Sequence, residues 1–482
     1  MSEVSSHIVD NDYGNPTVTL ESAGRDIFVI SDLHVAAGKS NDGRYAGTEN
    51  FYSDDALSRW LSYCHEQVAG PAILIINGDF IDFIRIDDFP VYPSEFAEWR
   101  KVLQKLGIEK TKEELEASIS RKEKEYGLKT DDYKSVWKLQ KAVSGHPLIF
   151  DALAEWLNRG HELWIVKGNH DLEWYWPRVR NYLKLVLSER VGYAHSVYAG
   201  ETSEEVIPDS IRFFDHSLLI DGSIYIEHGH SYDKFSNVVG NAIWGKGTEL
   251  NIPFGSFFNR YLLNRIELSY PFLDNVRPAQ NILPLLIRER FPLALQFLFH
   301  HIPFLVRIIP KNYYAYMLQR VVPVLLAVVL PAILVIYSLS QYVGPARIQL
   351  KVPSFLLSGA LNLMGMVLSY FLARIVAFMQ LKEPNDLSAA AQELFDQNPA
   401  LRKVIFGHTH HPTQFRNGEK WFFNTGTWIT VVENSTAAIL PDKTFVFLHI
   451  PGEARRSDAT PNLQRWNDDA LRAESLVLIN KK

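Results

Sequence analysis

The chain has 482 residues, more than one ordinary domain requires, so it holds two or three units or one core carrying large insertions. Its 49 basic and 55 acidic side chains leave a formal net charge of -6, which excludes a chain-wide basic footprint for nucleic acid. A single cysteine, Cys64, excludes an internal disulfide and reads as a small buried hydrophobe rather than a nucleophile.

In chain order, the opening MSEVSSHIVDNDYGNPTV has neither the basic start nor the apolar stretch of a secretory leader, so the N-terminal part is expected to stay in the cytosol. Five short runs rich in Ile and Val follow. They are DIFVIS before Asp32, AILIIN before Gly78, ELWIVK before Gly168, SIYIE before His228 and KVIF before Gly407. Such runs predict buried strands with polar clusters at their carboxyl ends. DALSRWLSYCHEQVAG and LIFDALAEWLNRGH carry apolar residues at helical spacing and stop at Gly70 and Gly160, so strands and helices alternate as in an α/β sheet. From about residue 90 to 141 the Glu and Lys content rises at helical spacing, which predicts a solvated helical insertion.

Residues 241–395 are crowded with Phe, Leu, Ile, Val and Pro. Residues 321–346 and 352–373 contain no charged side chain, and each exceeds the roughly 18 apolar residues that span a bilayer. Just upstream, PLALQFLFHHIPFLVRIIPKNYYAYMLQR mixes bulky apolar groups with Arg307, Lys311 and Arg320, a composition suited to a headgroup boundary. The expectation is a membrane hairpin; a hydrophobic helical subdomain or a dimer interface is the soluble alternative.

The polar clusters at the strand ends are Asp32-Leu33-His34, Gly78-Asp79, Gly168-Asn169-His170-Asp171, His228-Gly229-His230 and Gly407-His408-Thr409-His410. Together they bring carboxylate, imidazole and amide oxygen to one edge of a sheet, the donor set of a first-row metal site. Alternate residues of an extended segment point the same way, so Asp32 with His34, and His408 with His410, can each face a shared ion.

This ordered set resembles the motifs of the calcineurin-like metallophosphoesterases: D-x-H, G-D, G-N-H-D, a later His and G-H-x-H. The resemblance spans Asp26 to about His449, insertions excluded. It implies an α/β fold, a four-layer α-β-β-α sandwich, here with a largely helical hydrophobic insertion. It also implies that Asp32, His34, Asp79 and His410 hold one divalent cation and that Asp79, Asn169, His228 and His408 hold a second, with Asp79 as the bridge. Manganese is the first candidate, with iron or zinc as alternatives. Asn424-Thr425-Gly426 resembles a family feature lining the same site. Paired cations about 3.5–4 Å apart polarise phosphoryl oxygens and activate a bridging water as hydroxide for in-line attack. His170 is the candidate acid for the leaving oxygen, with Asp171 to orient it. His228 is preferred to His230 as a ligand because it follows its strand directly, which leaves His230 facing substrate.

The expected organisation is an extension over residues 1–24, a core over 25–240 and 396–455, the hydrophobic insertion over 241–395 and a tail over 456–482. His228 and His408 must meet one ion, so the chain between them has to return to the same side of any bilayer, and two apolar runs allow that. EHGHSYDKF is similar to a segment of the UDP-2,3-diacylglucosamine hydrolases, in which a helical lid occupies the corresponding place, although His230 stands where Asp is usual. The expectation is a membrane-associated phosphoester or pyrophosphate hydrolase with its catalytic domain facing the cytoplasm and a lipid-linked substrate. It has no nucleic-acid partner and leaves room for a homo-oligomer. Arg85, Arg178, Arg180, His230 and Lys234 are the candidates for substrate binding. The alternatives are a tethered phosphodiesterase or phosphatase acting on soluble nucleotides or phosphoproteins, and a non-catalytic scaffold.

Overall fold

Each of the five Ile/Val runs forms a strand, and the alternation of side chains along it decides what the strand joins. In the computed structural model, which describes residues 9–10, 16–40, 42–191, 210–233, 235–238, 241–244, 248–269, 282–296, 387–431, 443–452 and 461–476, the chain is a mixed α/β protein with two mixed seven-stranded sheets. In chain order the strands are β1 (Val9–Asp10), β2 (Pro16–Leu20), β3 (Ile27–Ile30), β4 (Ile73–Asn77), β5 (Glu162–Val166), β6 (Ile211–Phe214), β7 (Ser217–Ile220) and β8 (Ile224–Glu227). They continue as β9 (Ile243–Trp244), β10 (Glu249–Leu250), β11 (Lys403–Phe406), β12 (Thr413–Asn417), β13 (Lys420–Asn424), β14 (Val446–Ile450), β15 (Leu463–Asn467) and β16 (Arg472–Ser475).

One sheet runs β16-β15-β14-β3-β4-β5-β6, with β3 to β6 parallel. The other runs β1-β2-β7-β8-β11-β13-β12, with β8, β11 and β13 parallel. β9 and β10 pair separately. Residues expected to be an extension and a tail supply strands at the sheet margins: β2 pairs with β7, and β15 and β16 extend the first sheet beyond β14.

Every second residue of the parallel strands enters a different apolar cluster. Ile27, Val29, Ile73, Ile75, Trp164 and Val166 pack with Leu218, Ile220, Ile226, Ile405 and Phe423 of the other sheet. Phe28, Ile30, Leu74, Ile76, Leu163 and Ile165 pack instead with residues of helices α1 (Asp54–Glu66), α5 (Asp132–Gly145), α6 (Pro147–Asn158) and α7 (Pro177–Val191). A third cluster joins Leu219, Tyr225, Val404, Phe406 and Phe422 to Ala391 and Phe395 of the helix Ser388–Gln397. Cys64 is buried in the helix-side core, where desolvation pushes its thiol well above the ordinary range, as a packing residue requires.

The charged stretch is less solvated than its composition predicts. α2 (Pro93–Lys105) buries Phe96, Trp99 and Leu103, the short α3 (Lys112–Ala117) buries Leu115, α4 (Arg121–Tyr126) buries Tyr126, and α5 buries Val136, Trp137 and Leu139 in the main core. Lys134 and Lys138, one turn apart on α5, both point inward. Lys134 reaches Glu123 at 2.5 Å and Lys138 lies 3.7 Å from Glu173.

A buried histidine ties the chain just after the first polar cluster to the joint between α5 and α6. His146 donates from Nδ1 to Asp54 at 2.9 Å and from Nε2 to Glu49 at 3.1 Å, while Glu49 also accepts from the backbone of Gly38 at 2.6 Å and of Phe51 at 2.8 Å. Burial alone would favour neutral imidazole, but the hydrogen bonds it donates to Asp54 and Glu49 prevail and raise its pKa from 6.5 to about 9. The raised pKa makes the imidazolium stabilising below pH 6.5, and that stabilisation is lost as pH climbs through about 9. It amounts to at most about 3–4 kcal/mol at roughly 1.4 kcal/mol per pKa unit. Denaturant titrations of wild type and His146→Gln are therefore expected to show a stability gap that narrows between pH 6.5 and 9; a gap independent of pH contradicts the assignment.

The chain divides into two compact units, 1–282 with 384–482, and 283–383. The second contributes the helices Ile282–Glu289 and Phe291–Gln296 to the described residues. No helix among the described residues is long and apolar enough to cross a membrane. The runs 321–346 and 352–373 lie outside the described residues. The first part of the stretch expected to be an insertion belongs to the larger unit, as a helical run of three pieces: Phe254–Phe258, a π-turn Asn259–Leu263, and Asn264–Glu267.

Candidate metal centre

The polar clusters leave the carboxyl ends of strands from both sheets and meet. Asp32, Asp79 and Asn169 follow β3, β4 and β5, whereas His228 and the His408–His410 turn follow β8 and β11 of the facing sheet. Backbone and side-chain bonds stitch this edge. His34 N–H donates to Asp79 O at 2.8 Å, Gly407 N–H to His228 O at 2.9 Å, and His408 N–H to the Asp32 carboxylate at 3.0 Å. Asn424 Nδ2 donates to Gly407 O at 2.6 Å and Thr427 Oγ1 to Asp32 O at 2.8 Å, so the Asn424-Thr425-Gly426 turn braces two of the loops.

Three groups of buried side chains present donor atoms within 4.8 Å of one another: Asp32 with His34 and His410, His34 with Asp79 and His170, and Asp79 with His228 and His408. Each can hold a metal ion. The Nε2 atoms of His34 and His410 face each other at 3.1 Å, and His410 Nε2 lies 3.3 Å from Asp32 Oδ1. Asp79 Oδ2 is 3.2 Å from His228 Nε2 and 3.7 Å from His34 Nε2. Asn169 Oδ1 is 3.2 Å from His228 Nε2, which brings the amide to the group of Asp79, His228 and His408.

Several features fit a cation. Asp32 Oδ1 is buried without a hydrogen-bond partner, a costly state for a carboxylate oxygen that a metal would relieve. Asp32, His34, Asp79, His408 and His410 all have φ between 50° and 67°, five of the nine described non-glycine residues in the left-handed region. Backbone held there concentrates at functional sites, where the surroundings enforce it. At Gly168 a Cβ would stand 2.1 Å from Asp79 Oδ1, and at Gly78 it would stand 2.3 Å from His228 Nδ1, so both glycines are needed for the side chains to converge.

The carboxylates are poised to stay ionised against burial. Desolvation favours neutral Asp32, yet His228 and His410 bring its pKa down to about 2, and His228 and His170 hold Asp79 well below the carboxylate range. His228 is buried too, but Asp79 and Asp32 raise it to about 10 in the absence of a metal. Its Nδ1–H donates to Asn77 O at 2.8 Å, which turns Nε2 toward the centre. A cation there would displace the proton that these carboxylates otherwise attract.

Two acids that sequence reasoning passed over are central. Asp82 Oδ2 accepts from His34 Nδ1 and from His170 Nδ1, each at 2.9 Å, and so fixes both rings through one oxygen. Asp233 Oδ2 lies 3.2 Å from His408 Nε2. Asp82 lies three residues beyond Asp79 and Asp233 five beyond His228, spacings that the motif set does not specify.

Asp82, not Asp171, is the carboxylate on His170 Nδ1. Asp171 accepts from Gly168 N at 2.6 Å, Phe80 N at 2.9 Å and Trp174 Nε1 at 2.9 Å, and burial with the nearby Asp79 charge raises its pKa to about 7. It shapes the turn.

The substrate-binding candidates are largely committed elsewhere. Arg85 is buried and pairs with Glu267 at 2.6 Å, while Arg178 pairs with Asp132 and Arg180 with Asp215, each at 2.6 Å. Sequence position next to a metal motif signals neither burial nor pairing. Lys234 lies outside the described residues. His230 sits beside His228 with ring centroids 5.4 Å apart and belongs to none of the three groups. The chain matches no family model and no curated protein.

Outer partners of metal-ligating histidines typically cost 10–100-fold in activity or metal affinity when removed. Asp82→Asn loses the charge that holds two rings, so a fall in turnover toward the upper part of that range, about 100-fold, is expected with a matched loss in metal affinity by calorimetry. Unaltered metal binding and rate would show that the two contacts are incidental.

Proposed function

We propose that the protein is a metal-dependent phosphoester hydrolase of the calcineurin-like metallophosphoesterase type, acting on a lipid-linked phosphate or pyrophosphate at a membrane. The observation that carries the reading is the position of Asp79, one carboxylate shared by two histidine groups drawn from opposite sheets. That is the bridging place the resemblance gives it. The three apolar clusters, helix to sheet, sheet to sheet and sheet to helix, favour a four-layer α-β-β-α sandwich.

On this reading Asp32, His34, Asp79 and His410 hold one divalent cation and Asp79, Asn169, His228 and His408 the other. Bound there, the cations supply Lewis acidity toward the phosphoryl oxygens and toward the attacking water. His170 gives a proton to the leaving oxygen from a ring that Asp82 keeps in one orientation. Asp233 orients His408. The lipid assignment is supported by the two charge-free runs at 321–346 and 352–373, each long enough and apolar enough to suit a bilayer that holds the acyl chains of a substrate.

The test is release of p-nitrophenol from bis(p-nitrophenyl) phosphate, and of phosphate or nucleotide from a panel of lipid phosphates and nucleotide-linked lipids, in detergent with and without manganese. Manganese-dependent cleavage with preference for the lipids is expected. Cleavage of water-soluble esters alone would remove the lipid assignment, and absence of metal-dependent cleavage in every case would remove the hydrolase.

A further inference from the structure

Beside the metal centre, on its Asn169–His228 side, lies a cavity of about 300 Å³. Its walls come from the loops that carry those two residues, with Leu172 and Tyr175 shortly after Asn169 and His230 and Ser231 just past His228. His230 is only 8% exposed, yet its Nδ1 has no hydrogen-bond partner. A buried nitrogen left so is expensive unless a ligand or water completes it.

The lining is polar and electrically balanced. Its one ammonium, Lys167, lies 3.4 Å from Asp215, which also lines the cavity and accepts from Arg180 at 2.6 Å. A second phosphate would therefore find no uncommitted cation among the described lining residues. Asn237 and Asn251 supply amides, whose nitrogens already donate to Ser231 O at 3.4 Å and to Asn241 O at 2.9 Å, while Leu172 and Leu250 supply apolar surface. The size is at the small end of the roughly 300–1,000 Å³ of ligand pockets, which suits a single ring.

We infer that this cavity is the subsite for a neutral, hydroxyl-bearing ring, a cyclitol or a sugar, esterified to the phosphate that is cleaved. A hydroxyl of the ring completes His230 Nδ1, other hydroxyls bond the asparagine amides, and the ring's C–H face rests on the leucines. This names the substrate class for the hydrolase proposed above and rests on that reading.

The experiment compares myo-inositol 1-phosphate, glucose 1-phosphate and glycerol 3-phosphate by titration calorimetry on the full chain in detergent with manganese. At least one ring phosphate is expected to bind about tenfold tighter than glycerol 3-phosphate, the worth of one well-made hydrogen bond, and which of the two does so separates cyclitol from sugar. Asn237→Leu is expected to erase that difference and to lower kcat/KM for a ring-bearing lipid phosphodiester about tenfold relative to bis(p-nitrophenyl) phosphate. Asn237→Ala replaces it if the leucine variant does not fold. Equal binding of the three phosphates, or a difference that survives the Asn237 variant, overturns the subsite. Metal-dependent hydrolysis indifferent to the ring would overturn the subsite and leave the hydrolase standing; a ring preference in binding without hydrolysis of any ester would do the reverse.

Discussion

Asp79→Asn is expected to abolish turnover in a protein that still folds. Asparagine tolerates the φ of 51° at this position and can keep the acceptor for His170 N–H, which lies 2.8 Å from Asp79 Oδ1. It removes the negative charge common to the groups containing His34, His170, His228 and His408. Loss of a shared ligand should exceed the roughly 100-fold that an outer partner costs. Metal analysis of the purified variant is expected to show less metal per chain than wild type, and a variant with wild-type rate and metal content would overturn the ligand assignment.

Arg85→Ala is expected to cost about 3–5 kcal/mol of stability, a large part of the roughly 5–15 kcal/mol that holds a typical protein folded. Arg85 and Glu267 are each 1% exposed and meet at 2.6 Å, and Arg85 Nε also donates to Thr48 O at 2.6 Å. Truncating the arginine strips Glu267 of its guanidinium in a place that water does not reach. Replacing both partners by methionine is expected to be far milder, because the penalty comes from leaving one charge behind rather than from losing an attraction. Denaturant titrations of the single and double variants decide it; equal losses in the two would mean that the pair is not what stabilises this joint.

Much of the architecture was legible in the residues. The Ile/Val runs ending at Asp32, Gly78, Gly168, His228 and Gly407 are strands, and the polar residues after them converge. Every expected metal ligand lies at this one edge. What was not legible depends on direction. Lys134 and Lys138 have the composition of a solvated face, yet they point inward to Glu123 and Glu173, because the apolar stripe of α5 turns that face to the core. Arg85 sits near a metal motif as a substrate-binding cation would, but it is consumed by an acid 182 residues away. Asp82 and Asp233 were missed because their parts are defined by the rings they hold and not by any regular spacing.

The opening of the expected insertion, residues 254–267, is bonded to the larger unit. Ser256 Oγ donates to Asn169 O at 3.2 Å, Arg260 Nη2 to Gly127 O and Leu128 O at 2.7 Å each, and Asn264 Nδ2 to Ile84 O at 3.0 Å. Composition groups this segment with the greasy stretch that follows. Its hydrogen bonds group it with the larger unit, at Asn169, Ile84 and Gly127.

The bond from His408 N–H to the Asp32 carboxylate closes a loop of 376 residues. During synthesis the N-terminal sheet can assemble its parallel strands early, but Asp32 has no His408 to meet until more than four-fifths of the chain has left the ribosome. Closing so long a loop adds entropy cost only logarithmically with length, so the delay is one of timing more than of final stability. The nascent protein must therefore carry a half-built edge through most of its translation, with Asp32, His34 and Asp79 made long before His408 and His410 arrive.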